Sequence, residues 1–221
     1  MKPGIKAIIF DLDGTLLNTL EDIAAAMNAA LEENGFKTHP VDEYRLLIGQ
    51  GVLNLSRTAL PEQARNDPSI VRNVAEAMRR EYKKRWADKT VPYTGIPELL
   101  DQLREAGIQT AVLSNKPDDF TRQCVQKFFP QHRFGAVLGE RPWIPKKPDP
   151  TAAFEIARLL GFSPAFFACL GDSDIDMRTA AAAGMLPVGA MWGFRSAEEL
   201  RDNGAAFLIE KPADLLPSLG G

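Results

Sequence analysis

Asp11 and Asp13 stand two residues apart in Asp11-Leu12-Asp13-Gly14-Thr15, directly after the apolar run Ile5 to Phe10. Asp172 and Asp176 follow a second such run, Phe166 to Leu170. Ser114 and Asn115 follow a third, Gln109 to Leu113, and Lys147 opens the segment Lys147-Pro148-Asp149-Pro150. Several carboxylates at one site repel one another unless a cation joins them. Magnesium prefers hard oxygen ligands and keeps part of its water, so two or three acids suit it. A carboxylate can attack phosphorus and carry the phosphoryl group as an aspartyl-phosphate. An acid two residues along the same loop can protonate a departing alkoxide and later deprotonate water. A metal and Lys147 would offset phosphate charge that otherwise repels the attacking carboxylate, while Ser114 and Asn115 offer neutral donors to phosphate oxygens.

Each piece also has a plainer reading. Alone, Asp11 and Asp13 are turn residues or a helix cap. Ser114-Asn115 alone is a turn and a helix start. Their places after strand candidates favour the chemical reading. Lys146 reads as a solvated neighbour of Lys147, and Asp149 and Asp174 as caps of the helices that follow them. His39 and His132 lack a partner pattern and read as surface residues. The stripe ending at Trp86 reads as helix packing.

The elements that would position these groups alternate. Short apolar runs at 5–10, 109–113, 134–138 and 166–170 read as buried strands, with weaker candidates at 186–190 and 206–209. Helical periodicity appears from Leu20 to Gly35, and at 96–106, 117–128 and 150–160. An alanine-rich helix runs to Ala183 and is closed by Gly184. Strands alternating with helices imply a parallel sheet covered on both faces. In such sheets ligands sit beyond the carboxyl ends of the strands, where all three polar clusters fall. Residues 17–91 interrupt the alternation with helical patterns alone, and the expected division is a core of 1–16 and 92–221 around an inserted helical cap, 17–91.

The bulk composition narrows the classes. The 221 residues are 45% hydrophobic with a formal net charge of -3, which gives no electrostatic case for nucleic acid or an anionic membrane. No stretch approaches the ~20 apolar residues of a membrane span. The run after Lys2 is too short for a signal peptide. Two cysteines, Cys124 and Cys169, make no disulfide framework. A cytoplasmic protein is expected, with Gly220-Gly221 frayed and the chain a monomer or weak homodimer.

Taken together, Asp11-Leu12-Asp13-Gly14-Thr15-Leu16, Ser114-Asn115, Lys147-Pro148-Asp149-Pro150 and Gly171-Asp172-Ser173-x-x-Asp176 resemble the four motifs of the haloacid dehalogenase-like hydrolase superfamily. The resemblance spans nearly the whole chain. It implies an α/β, Rossmann-like parallel-sheet core with a type 1 helical cap, and within the superfamily it points to the phosphoglycolate phosphatase group. By this resemblance Asp11 is nucleophile and metal ligand. Asp13 is general acid/base, with its backbone carbonyl on Mg2+. Ser114 and Lys147 bind the phosphoryl group, Asp172 is a metal ligand, and Asp176 supports the metal waters or Lys147. Gln50, between Gly49 and Gly51 in the cap, is the foremost candidate for substrate contact there, ahead of Arg45 and Arg57. Many relatives carry an acid where this chain has Asn18, near the hinge.

The implied activity is Mg2+-dependent hydrolysis of a small phosphate ester. Asp13 argues against a dehalogenase or a phosphonate-cleaving relative, neither of which needs that second acid. A phosphosugar phosphatase or mutase keeps both acids and stays open. A phospho-aspartate receiver is shorter and places its acceptor after a later strand, and a silent binder would not need the full set of catalytic residue types.

Overall fold

The structure, a computed structural model, describes residues 4–220. The expected fraying at Gly221 and the reading of Lys2 lie outside the described residues. The strands in chain order are β1 (Ala7–Phe10), β2 (Leu17–Asn18), β3 (Val91–Pro92), β4 (Gln109–Pro117), β5 (Ala136–Glu140), β6 (Phe167–Gly171), β7 (Leu186–Ala190) and β8 (Phe207–Ile209). Six of them form one sheet in the order β5-β4-β1-β6-β7-β8, and every neighbouring pair is parallel. β2 and β3 pair separately as a short ribbon.

The helices are α1 (Leu20–Glu33), α2 (Tyr44–Leu47), α3 (Val52–Ala59), α4 (Glu62–Arg65), α5 (Pro68–Arg85), α6 (Ile96–Glu105), α7 (Asp118–Phe128), α8 (Thr151–Leu160), α9 (Asp174–Ala183), α10 (Ala197–Asp202) and α11 (Leu215–Leu219). The chain divides into two compact units. One runs to Leu17 and resumes at Pro92, and the other is Asn18–Val91.

In the first unit, β1 and β6 are buried along their whole length, as their unbroken apolar sequences require in a sheet covered on both faces. Ile9, Leu113, Leu138 and Cys169 share one face with Ala153 and Ile156 of α8 and Ala180 of α9. On α6, Ile96, Leu99, Leu100 and Leu103 recur at helical spacing and are buried. β1 sits between β4 and β6, where the strand order turns back on itself, so the carboxyl ends of these three strands frame the crevice such sheets use for ligands.

In the second unit α1 and α5 pack along each other. Asp67 caps α5, accepting from the backbone of Ser69 at 2.8 Å, and Pro68 occupies the first turn where no N–H is needed. Asp22, buried in α1, accepts from the backbone N–H of Lys89 (3.0 Å) and of Thr90 (2.8 Å) and from the Thr90 hydroxyl (2.7 Å). That carboxylate ties the end of the unit back to its first helix.

Three local features differ from the sequence expectation. The strand expected to stop at Leu113 continues through Ser114-Asn115-Lys116 to Pro117, with its register against β5 shifted between Leu113 and Pro117. An irregularity of that kind re-aims side chains at the end of a strand. The ribbon residues at 17–18 and 91–92 are too few for periodicity to register. Ser173, not Asp174, caps α9: its side chain accepts from Asp176 N while Asp176 accepts from Ser173 N, a reciprocal capping box.

Candidate active site

Asp11 is the first residue beyond β1, and its backbone N–H donates to Leu170 O at 2.9 Å. Asp172 stands at the matching place after β6, and Asp176 lies in the first turn of α9. Oxygens of these three carboxylates lie within 4.8 Å of one another. Lys147 reaches the cluster from the segment before α8. Its Nζ donates to Asp11 Oδ1 (2.8 Å), Asp176 Oδ1 (2.6 Å) and Leu113 O (2.9 Å), which uses all three of its N–H bonds.

The carboxylates and the ammonium do not balance. Three acids face one lysine, so the fully ionised cluster carries two uncompensated negative charges in a buried setting. Burial, with the Asp176 charge added to it, holds the Asp11 carboxyl well above the usual range against the pull of Lys147. Burial and Asp176 likewise push Asp172 up to about 7, although Phe194 N–H and the Thr15 hydroxyl favour its ionised form. Burial opposes the charge on Lys147, yet Asp11 and Asp176 outweigh it and raise the lysine above its ordinary value. Two missing charges among hard oxygen donors match a divalent cation of the magnesium or calcium kind, so these residues fit the metal that their pattern implies.

The second tier of contacts fixes the orientation of each acid. Asp172 Oδ1 accepts from Thr15 Oγ1 at 3.1 Å, and its Oδ2 accepts from Phe194 N at 2.7 Å. Trp192 Nε1 donates to Thr15 O at 3.0 Å, which joins the loop after β7 to the loop after β1. Gly14 has φ +91, and a Cβ there or on Gly193 would collide with the Asp172 side chain. Both positions therefore need glycine if Asp172 is to sit where it does. Asp176 Oδ2 accepts from Ser173 N (3.1 Å) and Ser173 Oγ (2.6 Å).

Asp13 lies on the same loop as Asp11 but outside the three-acid cluster. Lys116 Nζ donates to both of its oxygens, at 2.8 and 3.1 Å, and the lysine side chain is only 5% exposed. Ser114 is buried, and its Oγ accepts from Lys116 N at 3.2 Å, which leaves its O–H to donate to a ligand. Asn115, expected as a phosphate donor, holds the Lys147 backbone with its carboxamide, donating to Lys147 O at 3.0 Å and accepting from Lys147 N at 2.9 Å. It holds Lys147 in place. Cys169, behind the cluster in β6, has its thiol pushed by burial up to about 12, which excludes a thiolate nucleophile at neutral pH.

Gln50 belongs to the other unit, exposed in the loop between α2 and α3. Gly49 (φ 130) and Gly51 (φ 81) on either side both adopt backbone that other residues avoid. Arg45 pairs with Asp42 at 3.6 Å, and Arg57 is exposed. Lys146 pairs with Glu140 at 3.1 Å, and Asp149 accepts from Thr151 N at 2.9 Å at the start of α8. His39, read as a surface residue, is half-buried and bonds Ala59 O through Nε2 at 2.8 Å.

The sequence reading passed over Lys116, Thr15, Gly193 and Phe194. Lys116 was visible as the residue after Ser114-Asn115. Gly193 lies just past a strand candidate ending at Ala190, a place where glycine permits close approach.

Residues 8–190 match the family described as haloacid dehalogenase-like hydrolase. The chain belongs to that family. Its relatives include a phosphoglycolate phosphatase of Aquifex aeolicus, 30% identical over 96% of this chain and 95% of the other. A phosphoglycolate phosphatase of Pseudomonas syringae pv. tomato is 30% identical over 96% of this chain and 79% of the other. A crystal structure from Lactobacillus delbrueckii subsp. bulgaricus, provisionally assigned as a phosphoglycolate phosphatase, superposes with a TM-score of 0.92 at 30% identity, covering 98% of this chain and 99% of the other. This haloacid dehalogenase-like hydrolase is a phosphatase of the phosphoglycolate phosphatase-like group. No helix among its described residues is long and apolar enough to cross a membrane.

Proposed function

We propose that this phosphatase hydrolyses a small phosphomonoester, 2-phosphoglycolate foremost, by transferring the phosphoryl group to Asp11 with Mg2+ as cofactor. The observation that carries the reading is the Asp11 carboxylate itself. One of its oxygens is held by Lys147 at 2.8 Å, while Oδ2 makes no hydrogen bond among the described residues, beside two further acids and at the end of the central strand. The choice of substrate rests on the named activity of the relatives in Aquifex and Pseudomonas.

Asp11, Asp172 and the backbone carbonyl of Asp13 are the groups that would hold Mg2+, which when bound offsets charge on the phosphate oxygens. Lys147 fixes Asp11 Oδ1 and leaves Oδ2 to attack phosphorus. The bond from phosphorus to the ester oxygen breaks as the bond to Oδ2 forms, and Asp13 delivers a proton to the departing oxygen. Water then attacks the phosphorus of the aspartyl-phosphate, Asp13 takes the proton, and the Asp11 carboxylate returns as phosphate leaves. Ser114 Oγ–H is the donor for the transferring oxygens, held in place before the reaction begins, and the charge of the Lys147 ammonium offsets theirs. The helical unit, Asn18–Val91, serves as the cap that limits access of bulk water, and Gln50 reads the substrate. All the proposed catalytic residues come from one chain, so a monomer or weak homodimer suffices. Both cysteines are free and buried, which suits the cytoplasm.

The reading is tested by phosphate release from a panel of small phosphate esters, with Mg2+ or with chelator. It requires release that depends on Mg2+, with 2-phosphoglycolate preferred by at least about tenfold, a margin of ~1.4 kcal/mol. Release from no ester, or release indifferent to chelator, overturns it.

Two further results follow. Asp13→Asn lowers kcat by about 10²- to 10⁴-fold, the usual worth of a positioned acid/base, and slows both half-reactions in rapid-quench experiments. An unchanged kcat contradicts the role of Asp13. Mg2+ also stabilises the fold, and by an amount that depends on pH. Asp172 at about 7 and the raised Asp11 retain protons in the folded protein that an unfolded aspartate has shed above about 4. Burying these acids therefore weakens the metal-free fold as pH rises through that window, and the cation competes with protons for the same oxygens. The increment in melting temperature on adding Mg2+ accordingly grows between about pH 5 and pH 8. An increment independent of pH contradicts binding at these carboxylates.

A further inference from the structure

Lys116 has no part in the chemistry derived above, yet its ammonium is delivered to the site with care. Its side chain is 5% exposed, and its Nζ sits 2.8 and 3.1 Å from the two oxygens of Asp13, itself only 12% exposed. The backbone is fixed as well, since Lys116 N donates to Ser114 Oγ and Lys116 O accepts from Thr121 Oγ1 at 3.1 Å. The second lysine of the site differs in kind. Lys147 is spent on Asp11, Asp176 and a main-chain carbonyl, on the side of the attacking oxygen. Lys116 stands on the side of the leaving group, because Asp13 is the group that must touch the ester oxygen.

We propose that Lys116 is the specificity-determining residue for esters that carry a carboxylate next to the ester oxygen, and that it binds that carboxylate while remaining beside Asp13. The proposal deepens the phosphatase reading and rests on it. The argument is one of distance and charge. A productive ester oxygen lies about 2.6–3.2 Å from an Asp13 oxygen. In a two-carbon acid the carboxylate is separated from that oxygen by one methylene, so an ammonium in contact with Asp13 can come within hydrogen-bond reach of it. The contact is charge-assisted and held on a buried stem, the conditions under which such a bond discriminates strongly. An ester whose leaving group ends in a neutral hydroxymethyl offers Lys116 no counter-charge.

The test compares kcat/KM for 2-phosphoglycolate and for ethylene glycol monophosphate, an analogue of the same length whose leaving group is uncharged (the neutral ester below), in the native enzyme, Lys116→Met and Lys116→Arg. Lys116→Met lowers kcat/KM for the carboxylate ester by about 100-fold and for the neutral ester by less than about tenfold, so selectivity collapses. Lys116→Arg, which keeps the charge, restores most of the preference. Equal losses on both esters, or no loss on either, overturn the proposal. Failure of the phosphatase reading shows itself differently, as no phosphate release from either ester by the native enzyme. In that event saturation-transfer NMR with glycolate decides: signals in the native protein that vanish in Lys116→Met uphold the proposal, and equal or absent signals in both overturn it.

Discussion

Asp11→Asn lowers kcat by about 10⁴-fold or more, the scale on which loss of a covalent nucleophile acts. The carboxamide keeps the shape of the side chain but has no anionic oxygen to present to phosphorus. The fold survives, for a physical reason specific to this site. The substitution reduces the buried acids from three to two against one lysine, so it relieves repulsion in the metal-free protein. The variant therefore melts no lower than the native enzyme in chelator, while it gains less from Mg2+. Kinetics and thermal melts on the same preparation check both halves. Activity within about tenfold of native in a pure preparation contradicts the assignment of Asp11 as nucleophile.

Lys147→Met has the second large effect, and it falls on stability as well as rate. Removing the ammonium leaves Asp11 and Asp176 buried side by side without their shared partner. Breaking a buried ion pair from one side costs about 3–5 kcal/mol. The loss of the positive charge that holds Asp11 and offsets the transferring oxygens costs a further factor of about 10²–10³ in kcat. Urea unfolding measures the first and steady-state kinetics the second. Asp176→Asn introduced into Lys147→Met recovers part of the lost stability, because it removes one of the two unpaired charges. A Lys147→Met enzyme as stable as the native one contradicts the view that this lysine neutralises the cluster.

The strands and the chemistry were legible in the sequence for one reason. Strands buried on both faces read as apolar runs, and each run that matters here stops at a polar residue in the site: β1 at Asp11, β6 at Asp172. What stayed hidden was contact between segments far apart in the chain. Asn115 bonds the Lys147 backbone, 32 residues away, and Thr15 and Phe194 converge on Asp172 from 157 and 22 residues away. No local pattern encodes such a meeting, since it depends on how loops after different strands fold over one crevice. Lys116 was hidden differently. Within Ser114-Asn115-Lys116-Pro117 a lysine reads as a loop residue in solvent, and only the continuation of β4 with its register shift turns the side chain inward to Asp13. The cap of α9 was misassigned because Ser173 and Asp174 are adjacent residues of equal capping propensity, and the reciprocal bond with Asp176 decides between them.

The central claim, that phosphate passes through Asp11, is tested most directly by trapping. The enzyme is mixed with Mg2+ and 2-phosphoglycolate, quenched during turnover and reduced with borohydride, which converts an acyl phosphate to an alcohol. Peptide mass spectrometry then reads every acidic position. The account predicts that Asp11 alone is converted to homoserine, in proportion to the phosphoenzyme present at the quench. Reduction at a different acid would contradict it and make that residue the nucleophile, and no reduction during rapid phosphate release would contradict it in favour of direct attack by water.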